Sequence, residues 1–71
     1  MKERGSILQL APMGRLLRTA GANRVSRSAK KQLSIILEEF AIELSRKAIT
    51  FAKHAGRTTI KGEDLLLATK S

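Results

Sequence analysis

Apolar positions along the chain fall into three helical blocks separated by two polar joints. In the first block Met13, Leu16, Leu17 and Ala20 recur at the i, i+3, i+4, i+7 spacing of one helix face. Pro12 suits an opening turn, where its missing N–H has no helical partner to lose, and Gly21 supplies a stop. Residues 22–25 form a short connector to Ser26, whose hydroxyl can cap the free N–H groups of a following helix. From there no Gly or Pro interrupts the chain before Gly56. The stretch "RTTI" at 57–60 is short and partly β-branched, which predicts a loop with one strand-like pair. A last helix begins near Lys61 or Gly62 and carries Glu63 and Asp64 in its positively polarised first turn.

The middle block sets the architecture. From Ser26 to His54 it spans about 43 Å at helical rise, whereas a compact chain of this length measures about 29 Å across. Its apolar set is broad: Ala29, Leu33, Ile36, Leu37, Phe40, Ala41, Leu44, Ala48, Ile49, Phe51 and Ala52. Two short flanking helices cannot cover such a stripe, but a second copy crossing the first can. The expectation is an all-α, intertwined dimer whose single chain is not independently stable. The alternative is a helical hairpin with a bent central helix, for which residues 27–54 hold no kinking residue.

Composition narrows the chemistry. With 71 residues the chain is one domain at most. Such a chain buries only about 60% of its unfolded surface, so a monomer's core is marginal. Cys is 0 and His is 1, which excludes disulfides and thiolate zinc sites and leaves oligomerisation as the support. The net charge is +8 and the pI is about 11.0. The excess is uneven: residues 1–31 hold eight cations and one acid, residues 32–71 six cations and five acids. That asymmetry points to a polyanionic partner, nucleic acid or an anionic membrane. A soluble basic protein without such a partner is the simpler alternative. No uncharged run approaches a membrane span, and "GSILQLAPMG" is too short and polar for a secretory signal, so the protein is expected to stay where it is made.

The stretch "FAKHAGRTTIKGEDLL" at 51–66 gathers the one histidine, an arginine, two threonines and a Glu-Asp pair. As a catalytic or metal cluster it is poor. No second His or Cys exists and no H-E-x-x-H spacing occurs. A joint between two helices that serves binding fits better.

Taken together, "APMGRLLRTAGANRVS" at 11–26, "ILEEFAIELSRKAITFAKHAGR" at 36–57 and "HAGRTTIKGEDL" at 54–65 resemble the histone fold, most closely the tailless archaeal histones. The resemblance runs from about Ile7 to Lys70 and leaves residues 1–6 as a short extension before a domain at 7–71. It implies a handshake dimer that presents a basic ridge to double-stranded DNA. It also implies the roles of individual residues. Arg24 matches a first-loop arginine and Thr59 the second-loop threonine that meets it near the minor groove. Arg15 matches a first-helix arginine that reaches the same groove. Arg18, Thr58 and Lys61 match further DNA-facing positions, although Thr58 stands where relatives often carry lysine. Arg27 stands where many relatives have an acid, and Lys30 and Lys31 follow it. Positive charge is therefore shifted toward the start of the long helix, unless these residues form only a solvated face. The N-termini of the first two helices, with Gly14 near the first, are expected to add N–H groups for phosphate.

The same resemblance implies that Phe51, His54 and Asp64 form a four-helix contact between dimers, with Arg57 pairing Asp64 inside the chain. Gly21 matches a small residue where successive DNA turns approach. Ile35 and Leu66 stand where relatives often have a charged pair, which puts interlayer salt bridges in doubt. The implied function is architectural: dimers add end to end and wrap DNA into nucleosome-like or superhelical chromatin, with little sequence preference and no enzymatic activity. The implied location is the chromosome, in the nucleoid of the cytoplasm. Partners are double-stranded DNA, a second copy or a paralogous histone, with no cofactor, metal, small-molecule substrate or membrane. A histone-fold component of a transcription assembly is the alternative, but it could dispense with Arg15, Arg24 and Thr59. A cationic membrane binder would need aromatics beside its cations, and the only two, Phe40 and Phe51, lie on the apolar stripe.

Overall fold

The computed structural model describes residues 8–71. The expected extension at 1–6, and Ile7 at the start of the expected domain, lie outside the described residues. Three helices follow in order: α1 at Leu10–Thr19, α2 at Arg27–His54 and α3 at Gly62–Thr69. Their lengths of 10, 28 and 8 residues give the short–long–short pattern expected for a histone fold. The described chain forms two compact units that divide between Glu39 and Phe40, within α2.

In the first unit α1 starts two residues before Pro12, which takes its third position. That is still within the four residues whose N–H groups have no helical acceptor, so the proline costs no hydrogen bond. The helix ends in a tight double bond: Gly21 N–H donates to the Arg18 carbonyl at 2.9 Å and Ala22 N–H to the Leu17 carbonyl at 3.0 Å. This closure needs a left-handed residue after the C-cap Ala20, and Gly21 sits at φ +118°. At the start of α2 the Ala29 N–H donates to Ser26 Oγ at 3.0 Å, as the sequence predicts. Met13 is buried, as is Gly14 beside it.

In the second unit the end of α2 repeats the device. Gly56 N–H donates to the Lys53 carbonyl and Arg57 N–H to the Ala52 carbonyl, both at 2.9 Å, with Gly56 at φ +74°. The expected strand-like pair does not form: Thr58 and Thr59 lie in a bend, and no strand occurs among the described residues. A β-branched pair needs a second strand to share a ladder with, and the described residues provide none.

Among the described residues the buried apolar ones are Met13, Ala48, Ala52 and Ala68. Three of the four are alanines, which contribute little transfer free energy. Meanwhile Ile36 is 52% exposed, Phe40 62% and Leu66 67%. The largest hydrophobic side chains therefore stay in contact with water in the single chain.

The two helix stops carry a prediction. Gly21→Ala and Gly56→Ala each force a Cβ into a left-handed conformation and cost about 1 kcal/mol or more. Thermal unfolding by circular dichroism should show midpoints lowered by about 5 °C. Gly56→Asn should be milder than Gly56→Ala, because asparagine tolerates φ near +60°, whereas Gly21 at +118° lies beyond that refuge.

Candidate nucleic-acid interface

The first unit presents cations on α1 and its exit. Arg15, Arg18 and Arg24 are all exposed. None makes an ion pair among the described residues. No Asp or Glu occurs from Arg4 through Leu37, so this stretch has no acid to neutralise them locally. Arg24 lines an open hollow of about 460 Å³ with Leu17, Ala22, Val25, Ser26 and Ala29. The α2 first turn also lacks acids and carries Arg27, with Lys30 and Lys31 following.

Gly14 does not serve as the expected helix-start phosphate group. Because α1 opens at Leu10, Gly14 is the fifth helical residue, one full turn inside. Its N–H is committed to the helix. What its missing side chain does provide is room. A Cβ on Gly14 would stand 3.3 Å from Arg18 Nη1 and 3.3 Å from Lys30 Cε. This juxtaposition escaped the sequence reading, although a glycine inside a helical pattern is the usual sign of a close approach.

The second unit holds its loop with one ion pair. The turn at Gly56 directs Arg57 back toward α3. Its guanidinium donates to Asp64 with both ends, Nη1 to Oδ2 at 2.9 Å and Nη2 to Oδ1 at 3.0 Å. Nη1 also donates to the Thr59 carbonyl at 3.0 Å. Asp64 Oδ2 accepts the Lys61 N–H at 2.8 Å, closing the start of α3. One arginine thus ties the loop backbone and the third helix together, and a two-pronged pair of this kind also fixes orientation. Glu63 adds a looser contact to Arg57 Nη2 at 3.7 Å, but it is exposed and adds little. With Arg57 turned inward, Thr58, Thr59 and Lys61 remain exposed on the loop. Below them Ile49, Ala52, Lys53, Arg57, Thr58 and Ile60 line a second open hollow of about 300 Å³.

The Arg57–Asp64 pair expected from the sequence is therefore present. Asp64 is 1% exposed. His54 is exposed as the last residue of α2, and Phe51 is half-buried one turn earlier. The Arg57 fork, followed by the Lys61 N–H, holds the Asp64 carboxyl down to about 2 from an ordinary 3.8. Gly21 is exposed, and its positive φ gives it a role within the chain whatever else it meets. Glu38 was not singled out from the sequence. It is 7% exposed on α2, and its Oε1 has no hydrogen-bond partner.

Residues 7–69 match the family described as histone-like transcription factors (CBF/NF-Y) and archaeal histones. The chain belongs to this family. The archaeal HAN1 histone subunit of Thermococcus zilligii is 56% identical to this histone over 64 residues, covering 90% of this chain and 96% of that protein. Probable archaeal histone 3 of Methanocaldococcus jannaschii is 48% identical over 63 residues, 89% and 94% of the two chains. The histone family is non-enzymatic, in agreement with the reading of residues 51–66. None of the described helices is long and apolar enough to cross a membrane.

The loop pin makes a pH prediction. Asp64 titrates lower in the folded chain than in the unfolded one, so its ionised form favours folding. That contribution is complete above about pH 4 and is lost as the pH falls through about 2. A carboxyl carbon NMR titration should place Asp64 near 2, and Arg57→Gln should return it toward 3.8. A midpoint near 3.8 in the unaltered protein would show that the fork does not form in solution.

Proposed function

We propose that this histone is an architectural DNA-binding protein that pairs through α2, binds double-stranded DNA with little sequence preference, and adds dimers along it. Family membership supports the class. The observation that carries the reading is the cationic, acid-free stretch from Arg4 through Leu37, in which Arg15, Arg18 and Arg24 are exposed and make no ion pair among the described residues, together with a pinned loop exposing Thr58, Thr59 and Lys61. Unpaired cations on rigid supports suit a phosphate backbone, because the binding energy comes from counterion release and the ordering cost is already met. In this reading Arg24 of one copy and Thr59 of the other form each end of the ridge, and Arg15 reaches the minor groove. A guanidinium held there reads groove width rather than base identity.

The pairing half rests on the stripe. Ile36 and Phe40 are large, exposed and central on α2. Glu38 supports it independently: a buried carboxylate oxygen without a donor is costly, and a second chain can supply one. A paralogous chain could fill the same place, and one relative is named as one part of an assembly. In the dimer–dimer contact, exposed His54 and half-buried Phe51 are the reachable groups. Asp64 is buried and already held by its own chain, so its part there is to fix the loop and the start of α3 behind the contact. DNA wound by successive dimers places the protein on the chromosome. Gly21 then faces a neighbouring turn.

Three measurements test this. Duplex affinity should fall linearly with salt on logarithmic axes, and Arg24→Ala or Lys61→Ala should flatten the slope by about 2 units per symmetric dimer. Unchanged slopes in both would remove these residues from the ridge. Phe40→Glu should unfold the protein if a second copy covers residue 40, because the charge is then buried unpaired. In a lone chain the same charge sits in water, and normal helicity would contradict pairing. Finally, nuclease footprints should lengthen in regular steps, and His54→Ala should stop the lengthening while leaving a folded, DNA-binding dimer. Losing one polar partner costs about 1–3 kcal/mol, enough for a weak contact and not for the dimer. His54→Ala is cleaner than Asp64→Ala, which also dismantles the start of α3.

A further inference from the structure

We propose that Arg18 and Lys30, seated across Gly14, form a two-cation clamp for a single backbone phosphate of duplex DNA. The inference deepens the DNA-binding reading and rests on it. Arg18 lies in the last turn of α1, where a cation suits the negative end of the helix. Lys30 lies near the start of α2, the positive end, where that explanation fails. Its stem nonetheless runs onto α1: Lys30 Cε and Cδ stand 3.3 and 3.6 Å from the point a Gly14 Cβ would occupy, and Arg18 Nη1 stands 3.3 Å from the same point. The Arg18 nitrogen and the Lys30 Cε therefore lie no farther apart than twice that shorter distance. Two cations brought this close repel each other. They make no ion pair among the described residues, and the nearest acids in sequence are Glu3 and Glu38. Packing of the half-buried Lys30 stem against the bare Gly14 backbone holds it in place while its charged end stays in water. A phosphate placed between the two ends would relieve the repulsion and take charge-assisted bonds from both.

The test uses charge-removing and charge-conserving variants of the full chain with a short duplex of mixed sequence. Lys30→Met keeps the apolar stem and removes the charge. It should weaken duplex binding by about five- to twentyfold, as loss of a surface ion pair on each of two protomers would. Lys30→Arg should restore binding. Arg18→Met should match Lys30→Met, and the double variant should weaken less than the product of the two, because both serve one phosphate. Gly14→Ala separates the seat from the charge. Alanine favours the helix over glycine, and the new methyl meets only the flexible ends of two side chains. Helicity should hold or rise while binding weakens at unchanged net charge. If the unaltered protein binds the duplex but Lys30→Met and Gly14→Ala bind equally well, the clamp is wrong. If the unaltered protein fails to bind, the DNA reading itself is wrong. Independent, multiplicative losses for Arg18 and Lys30 would also overturn a shared phosphate.

Discussion

The feature on which everything else depends is an apolar stripe that its own chain leaves wet. A 28-residue α2 is long enough to carry many apolar side chains, yet the buried apolar set is one methionine and three alanines. Burying a side chain such as Phe40 or Ile36 is worth about 1.5–3 kcal/mol. Leaving them exposed forfeits a large fraction of the roughly 5–15 kcal/mol that typically holds a domain together. The orphaned oxygen of Glu38 marks the same helix as unfinished on the polar side. Hydrophobic surface and a missing donor are what the proposed second chain would cover and supply.

Local chemistry prepares the surfaces that pairing would complete. Gly21 and Gly56 stop two helices by the same left-handed closure, so each connector leaves its helix in a fixed direction. Arg57 then commits its charge inside the loop to Asp64 and the Thr59 carbonyl. The remaining loop polar groups face solvent on a braced backbone. In the first unit the opposite rule holds: Arg15, Arg18 and Arg24 make no ion pair among the described residues, and no acid occurs from Arg4 through Leu37. The second unit braces its loop with an internal ion pair, while the first leaves its arginines on the surface, the kind of surface that the proposed polyanion would engage.

Much of this was legible in the sequence, for physical reasons. Helix periodicity, the Ser26 cap and the two glycines announce their geometry through side-chain chemistry alone, and the element boundaries fall within about two residues of that reading. The Arg57–Asp64 pair was legible only through the motif's likeness to a family, since spacing by itself does not say that two side chains turn toward each other. Features that depend on the approach of different helices were not legible. Lys30 lying over Gly14 and the burial of Glu38 are set by packing, to which a linear pattern is blind. The strand-like pair at the second loop was expected from β-branched residues, but strand formation is decided by a pairing partner rather than by propensity.

The most direct measurement is the thermal unfolding midpoint of the unaltered protein across a wide range of protein concentration, followed by helical circular dichroism without DNA. If folding requires a second chain on α2, dilution removes structure by mass action, and the midpoint rises steadily with concentration. A midpoint independent of concentration, with full helicity in the most dilute sample, would mean that the single chain is stable with its stripe exposed and would contradict the pairing on which the proposed DNA ridge is built.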